Sequence, residues 1–258
     1  MALSFGLPLS DSYQEITTNI FSNLNILNRN QNNNNSFNDY VISSVNKMKT
    51  CFKQWMESLC LNFGIHGDTQ LGKTEAIFNC LIGALNENIF SILTSDNSCT
   101  QLGQIRERLI KRITKEKEKN LSFTLTIIDM DELSKSEFNK QVKYFIERGD
   151  GKFVIMCLNN YPSIARLNSL FAELVEMEKF KLFKQVLKFH DEGDTIIKNE
   201  NFNECVDGNA KSHDEWIKFS KLLSRYTNLK NVYVSATLDC IFRKVDIKCK
   251  DMFFLEPT

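Results

Sequence analysis

The sequence is poor in several things whose abundance would have settled its class. Only 3 of its 258 residues are Pro and 10 are Gly, which excludes a collagen-like or Pro/Gly-rich disordered chain. There is no excess of charge of either sign: 32 Lys and Arg balance 32 Asp and Glu. A protein that coats nucleic acid by bulk charge is therefore excluded, while a local basic groove is not. No apolar run reaches the roughly 18 residues that a membrane span requires. The N-terminus lacks a basic segment followed by an apolar one, so neither a signal peptide nor a membrane partner is expected. The cysteines, Cys51, Cys60, Cys80, Cys99, Cys157, Cys205, Cys240 and Cys249, include no C-x-x-C pair. Most sit in apolar segments, which reads as reduced, buried thiols of an intracellular protein rather than a zinc site.

What is present is ordinary globular material, 42% hydrophobic and 25% charged, with 20 Phe, enough for a sizeable core. Residues 1–45 read as an N-terminal extension. In it, Ile16, Ile20, Leu24 and Leu27 recur at helical spacing, ahead of an Asn-rich tract at 28–38 that has nothing to bury and is expected to be flexible. Residues 46–258 read as one α/β domain. A helix over 41–58 is followed by short apolar runs at 60–65, 89–93, 123–128, 153–158, 186–189, 232–234 and 252–255. Helical stretches at 73–85, 101–117, 135–148, 163–181 and 214–226 lie between most of them. Apolar strands alternating with helices imply a parallel sheet covered on both faces.

The sharpest motif is Gly67-Asp68-Thr69-Gln70-Leu71-Gly72-Lys73-Thr74, which fits the phosphate-binding pattern G-x-x-x-x-G-K-[ST] between an apolar strand and an apolar helix. The glycines let backbone N–H groups turn towards phosphate oxygens. Lys73 would neutralise the β- and γ-phosphates, the Thr74 hydroxyl would ligate magnesium, and the helix start adds its positive dipole end. ATP and Mg2+ are the expected ligands. The magnesium acid has two candidates at strand ends. One is Asp191-Glu192, in the string Asp191-Glu192-Gly193-Asp194; the other is Asp129 or Asp131, with Glu132. The one on the strand adjacent to the phosphate-loop strand is expected to be the metal residue.

Asp191-Glu192-Gly193-Asp194 resembles the Asp-Glu-Ala-Asp box of superfamily-2 helicases, with Gly for Ala. Val232-Tyr233-Val234-Ser235-Ala236-Thr237 resembles the Ser-Ala-Thr motif of the same enzymes, and the order of the three motifs matches theirs. The resemblance covers roughly residues 50–255. It implies a P-loop NTPase fold of RecA-like type, forming the ATP-binding lobe of a helicase or translocase. It assigns Asp191 to magnesium through water, Glu192 to activation of the attacking water, and Ser235 and Thr237 to coupling. It places Thr94, Ser95, Asn97, Gln101, Gln104, Arg106, Asn159 and Asn160 on the nucleic-acid backbone, and offers Gln54 as an adenine-sensing residue. In that reading Asp129, Asp131 and Glu132 are turn residues. Gln70, Leu71 and Gly193 depart from the common pattern, which points to divergent enzymes of viral, phage or plasmid type and leans towards DNA over RNA. A motor also needs a second RecA-like lobe, expected elsewhere in a longer protein or in another chain.

Outside the resemblance, a protein-directed P-loop NTPase using Asp129 or Asp131, or a non-catalytic nucleotide-binding module, stays open. The basic stretch 105–119 has Ile105, Leu109, Ile110 and Ile113 spaced for a buried face, so its charges are expected to be solvated. His66 and His190 are expected to hydrogen-bond at strand ends, Trp55 and Trp216 to pack in the core, and Arg243 and Lys244 to be surface charge. The polar stretch 199–211 reads as an insertion.

Overall fold

A computed structural model describes residues 37–67, 72–85, 88–95, 98–192, 208–236 and 252–255, with backbone alone for 37–46, 208–213 and 252. The expected N-terminal helix, the Asn-rich tract and the segments around Arg243 lie outside the described residues. The chain divides into two units, Met1–Ile42 and Ser43–Thr258; the sheet belongs to the second, as do all the helices except the first turns of the one that begins at Phe37.

In chain order the elements are α1 (Phe37–Glu57), β1 (Asn62–His66), α2 (Lys73–Gly83), β2 (Ile89–Ser95), α3 (Cys99–Lys119), β3 (Thr126–Asp129), α4 (Lys135–Arg148), β4 (Phe153–Leu158), α5 (Tyr161–Leu174), a 3-10 turn (Glu178–Leu182), β5 (Gln185–Asp191), α6 (Gly208–Leu223), β6 (Asn228–Ser235) and β7 (Met252–Phe254). The strands form one sheet in the order β3-β4-β2-β5-β6-β1-β7. Every pairing in it is parallel. The apolar runs are strands for the reason the sequence suggests. In β4 all of Phe153–Leu158 is buried, as a strand covered on both faces must be.

Side-chain alternation divides the core in two. Val154, Met156 and Leu158 join Phe63, Ile65, Leu187, Phe189, Val232 and Val234 under α1, α2 and α3. Phe153, Ile155 and Cys157 join Phe90, Ile92 and Val186 under α4, α5 and α6. The second face is rich in Phe: Phe90 stacks on Phe153 at 5.0 Å and on Phe171 at 5.7 Å, with Phe183 edge-on at 5.3 Å. Each such ring contributes about 1.5–3 kcal/mol of burial. The arrangement is the α/β class expected from the sequence, a single parallel sheet with helices on both faces.

Local chemistry sets the helix ends. Ser98 caps α3 by accepting from the Gln101 N–H, and Ser134 and Glu137 form a reciprocal capping box on α4. Gly149 closes α4 at φ 63°, and a Cβ there would meet Leu182 at 2.8 Å. One expected helix differs. The stretch 163–181 is not continuous: α5 ends at Leu174 and a 3-10 turn covers Glu178–Leu182. Three-residue spacing puts Phe180 and Phe183 together against Phe90, contacts that outweigh helix propensity at Lys179 and Lys181.

The fully buried Lys230 of β6 reaches across to the end of α1. Its ammonium donates to the carbonyls of Trp55 (2.7 Å) and Ser58 (2.8 Å) and lies 4.7 Å from the Trp55 ring centroid. Carbonyls left over at a helix C-terminus carry partial negative charge, so a cation there answers both the hydrogen bonds and the dipole. Lys230→Met keeps the alkyl volume and removes the cost of burying the ammonium, but takes its donor from the Ser58 carbonyl and one of three donors from the Trp55 carbonyl, which keeps the N–H and hydroxyl of Ser58. We expect the second effect to win by about 2 kcal/mol, seen as a fall in Tm of about 4–8 °C for a body of this size. An unchanged or higher Tm would show that desolvation of the ammonium dominates.

Candidate functional site

Parallel pairing brings the C-terminal ends of all strands to one edge of the sheet, where the chemically able residues collect. Gly67, the first residue after β1, donates its N–H to the Ser235 carbonyl at the end of β6 (3.2 Å). Gly72 precedes α2 at φ 81°, a left-handed conformation that favours glycine. Gly67 is required for a different reason: a Cβ there would lie 2.9 Å from Leu255, which follows β7. Lys73 begins α2, and its ammonium donates back across the loop to the Gly67 carbonyl at 3.2 Å. Thr74 is half-buried beside it. Asp68, Thr69, Gln70 and Leu71 lie outside the described residues. The described part of the loop is thus a strand end, a left-handed turn, and a lysine at a helix N-terminus, all geometry suited to an anion.

Asp191 ends β5, in register with Val234 of β6, and is 6% exposed. Burial pushes its carboxyl up to about 6, with the neighbouring Glu192 adding to the rise, while Lys73 and a hydrogen bond from the Gln101 side chain pull it down. Asp191, Lys73 and Gln101 therefore share one electrostatic site. Glu192 follows in the left-handed region, at φ 53°, a conformation that costs a non-glycine residue energy and must be held by its surroundings. Neither acid-bearing strand is adjacent to β1, contrary to expectation. β6 lies between β1 and β5, whereas β3, carrying Asp129, is at the far edge with β4, β2, β5 and β6 intervening. The strand adjacent to the loop ends instead in Ser235, which is fully buried.

Asp129 has its own partners. Its carboxylate accepts from the Asp131 N–H at 3.0 Å and faces Arg106 at 3.7 Å, while Arg106 pairs with Glu132 at 2.7 Å. Arg106 thus ties α3 to the turn after β3. Thr94 is fully buried, with its hydroxyl 3.3 Å from the Phe189 carbonyl and 3.0 Å from His190 Nδ1. Ser95 is fully buried, and its carbonyl accepts from the Asn159 N–H at 2.9 Å. The Asn159 side chain accepts from Trp216 Nε1 at 2.7 Å. Asn160 caps α5, accepting from the Ser163 N–H at 3.0 Å. Of the remaining candidates, Gln54 on α1 and Gln104 on α3 are exposed; Asn97 and Thr237 lie outside the described residues.

The sequence gives one group a different role and does not single out another. Gln101 stood in a segment assigned to nucleic acid, and only the fold brings it to Asp191. Lys188 interrupts an apolar strand and was passed over. Its ammonium donates to Ser220 Oγ at 3.2 Å and sits 4.5 Å from the Trp216 ring centroid, and burial pushes it down to about 7. Beside it, burial and the Lys188 charge hold His190 well below the ordinary imidazole range. Among the described residues no group of three or more His, Cys, Asp or Glu forms a metal cage, and no helix is long and apolar enough to cross a membrane.

No protein-family model matches the chain, and no curated protein matches it. Among solved structures, the chain is similar to a nuclease-deletion mutant of the Type ISP restriction-modification enzyme LlaGI in complex with a DNA substrate mimic. The TM-score is 0.49 at 14% identity, over 83% of this chain and 17% of that one. The chain thus spans under a fifth of that enzyme's length, and the fold class rests on its own strand order and phosphate-loop geometry.

A buried carboxylate raised from 3.8 to about 6 weakens the folded state once ionised. The unfolded chain gives up the proton first, so the contribution is present at low pH, is lost as pH rises through about 4–6, and is fully lost above 6. Asp191→Asn should therefore raise stability at pH 7.5 by about 1–3 kcal/mol and leave it nearly unchanged at pH 4, read as Tm in magnesium-free buffer. A lower Tm at pH 7.5 would show that the charged form is better solvated than its burial implies.

Proposed function

We propose that the chain is the ATP-binding motor lobe of a superfamily-2 nucleic-acid helicase or translocase, acting with a second RecA-like lobe. One observation carries the reading: Asp191, at a strand end, lies in the field of the phosphate-loop lysine, with the Ser235 strand between them bonded to Gly67. Gly67, Gly72, Lys73 and the start of α2, together with Asp68, Thr69, Gln70 and Leu71, would cradle the phosphates, and Gln54 would approach the adenine. Magnesium would be held by Thr74 and, through water, by Asp191, where it would offset phosphate charge. The donor set fits such a metal, because a hard cation that keeps waters needs only a hydroxyl and a carboxylate once phosphate oxygens supply the rest.

Glu192, which follows Asp191 in the chain, would orient the attacking water. Lys73 and Gln101 offset part of the cost of ionising the buried Asp191, and Lys73 would take up developing charge on the phosphates. Ser235 and Thr237 would connect this end to nucleic acid, DNA rather than RNA. There Asn97, Gln104 and the turns after β2 and β4 would meet the backbone, with Thr94, Ser95, Arg106, Asn159 and Asn160 holding those turns in place.

The test is an ATP-binding titration with magnesium and with EDTA on the wild type, Lys73→Ala, Asp191→Asn and Asp129→Asn. We expect Lys73→Ala to weaken ATP binding at least about tenfold and Asp191→Asn to remove the gain from magnesium, each by over about 1.4 kcal/mol. Asp129→Asn should bind as wild type. If the two Asn variants exchange behaviour, the chain is a P-loop NTPase using Asp129. If the wild type binds no ATP, a non-catalytic module is the better description. An oligonucleotide titration at low salt, steeply weakened by added salt, tests the nucleic-acid half.

A further inference from the structure

A row of four side chains, Cys157, Thr94, His190 and Tyr233, each carrying a heteroatom, runs across the sheet near its C-terminal edge, on the face covered by α6. Cys157 of β4 stands opposite Thr94 of β2, Thr94 opposite His190 of β5, and His190 opposite Tyr233 of β6. All four are buried. His190 is the hub. Its Nδ1 is 3.0 Å from the Thr94 hydroxyl, its ring stacks on Tyr233 at 5.1 Å, and Trp216 of α6 meets it edge-on at 5.6 Å. Trp216 continues the path: its indole N–H donates to Asn159 at the end of β4, and its ring covers Lys188. Asn168 of α5 donates to the carbonyl and carboxylate of Glu215, fixing α6 beside Trp216.

Such groups are costly to bury unless each is satisfied, and the row below carries Ile155 and Ile92 on β4 and β2 but Lys188 and Asn231 on β5 and β6. The path also joins two places that the sheet keeps apart. Asn159 follows β4 and Asp191 ends β5, with β2 between their strands, a separation of about 10 Å from strand spacing. Trp216 spans it, touching His190, the residue before Asp191, and bonding to Asn159.

We propose that Trp216 is a positioning residue that couples the turn after β4 to the magnesium acid: through Asn159 and His190 it fixes the end of β5 so that Asp191 and Glu192 stand where the metal-bound nucleotide requires them. This rests on the nucleotide-site reading above. Partners outside the first coordination sphere of a metal commonly govern affinity about 10–100-fold.

The readout is the ratio of ATP affinity with magnesium to that with EDTA. In Trp216→Phe, which keeps a ring and loses the indole N–H, the ratio should fall about tenfold while affinity in EDTA stays near wild type, even though loss of the buried bond lowers Tm. Asn159→Leu should give the same fall, and the double variant no more than either alone, because both remove one bond. A second measurement does not depend on Trp216→Phe folding. In Trp55→Phe, Trp216 is the remaining indole, and magnesium-ATP should shift its emission in a way that Asn159→Leu abolishes. A ratio unchanged in a folded Trp216→Phe, additive losses in the double variant, or an emission indifferent to magnesium-ATP would overturn the proposal. If the wild type itself shows no magnesium-dependent ATP binding, the nucleotide reading fails and takes this proposal with it, an outcome distinct from the others.

Discussion

The pairing of β6 between β1 and β5 governs the rest of the molecule. Parallel hydrogen bonding runs from Asn62 opposite Asn231 to His66 opposite Ser235, and on the other side of β6 from Gln185 opposite Asn228 to Asp191 opposite Val234. These two registers decide how far the carboxylate of Asp191 stands from the ammonium of Lys73. A register slip of one residue on either side would turn Asp191 or Ser235 to the other face, because side chains alternate along a strand. The buried residues of β5 and β6 on the two faces hold that register, with Leu187, Phe189, Val232 and Val234 in one core and Val186 and Leu229 in the other.

The molecule accepts several buried polar groups, and they are of two kinds. Lys230 works for stability: it closes the end of α1 and so holds Phe52 and Trp55 on the sheet. Asp191 works against stability, since burial raises it and Lys73 and Gln101 only partly offset the cost. Carboxylates tuned away from their ordinary range by burial and specific partners are common at reactive sites. Lys188 and His190 lie on the opposite face from Asp191, under α6, and are kept from water by Trp216.

Much of the fold could be read in advance because its signals are local. Phe153–Leu158 is an unbroken apolar run that ends at Asn159 and Asn160, and Asn160 is a helix cap. The phosphate loop declares itself in Gly67, Gly72, Lys73 and Thr74. The order of the strands is not a local property. No short pattern tells that β6, made after β5, will insert beside β1, so the expected adjacency of loop and acid did not hold. The same reason hid Gln101, whose use depends on α3 starting beside the end of β5. Thr94 and Arg106 stood in a segment that resembles a nucleic-acid contact, yet Thr94 is buried against His190 on the face under α6 and Arg106 binds Asp129 and Glu132. A polar residue at a strand end has the same letter whether it faces solvent or a neighbouring strand.

The contact of Gly67 with Leu255 has a bearing on how the protein is made. The first glycine of the loop is bonded to Ser235, shielded by Leu255, and preceded by a strand whose two neighbours are β6 and β7. On a ribosome, residues 62–74 emerge long before residues 228–255, and domains fold as units while synthesis proceeds. Until that last stretch is free to move, β1 has no neighbour in the sheet, and its exposed backbone edge invites the wrong partner. The phosphate loop would be among the first parts of the domain to be synthesised and among the last to take shape, so a nascent chain would pass most of its synthesis unable to hold nucleotide.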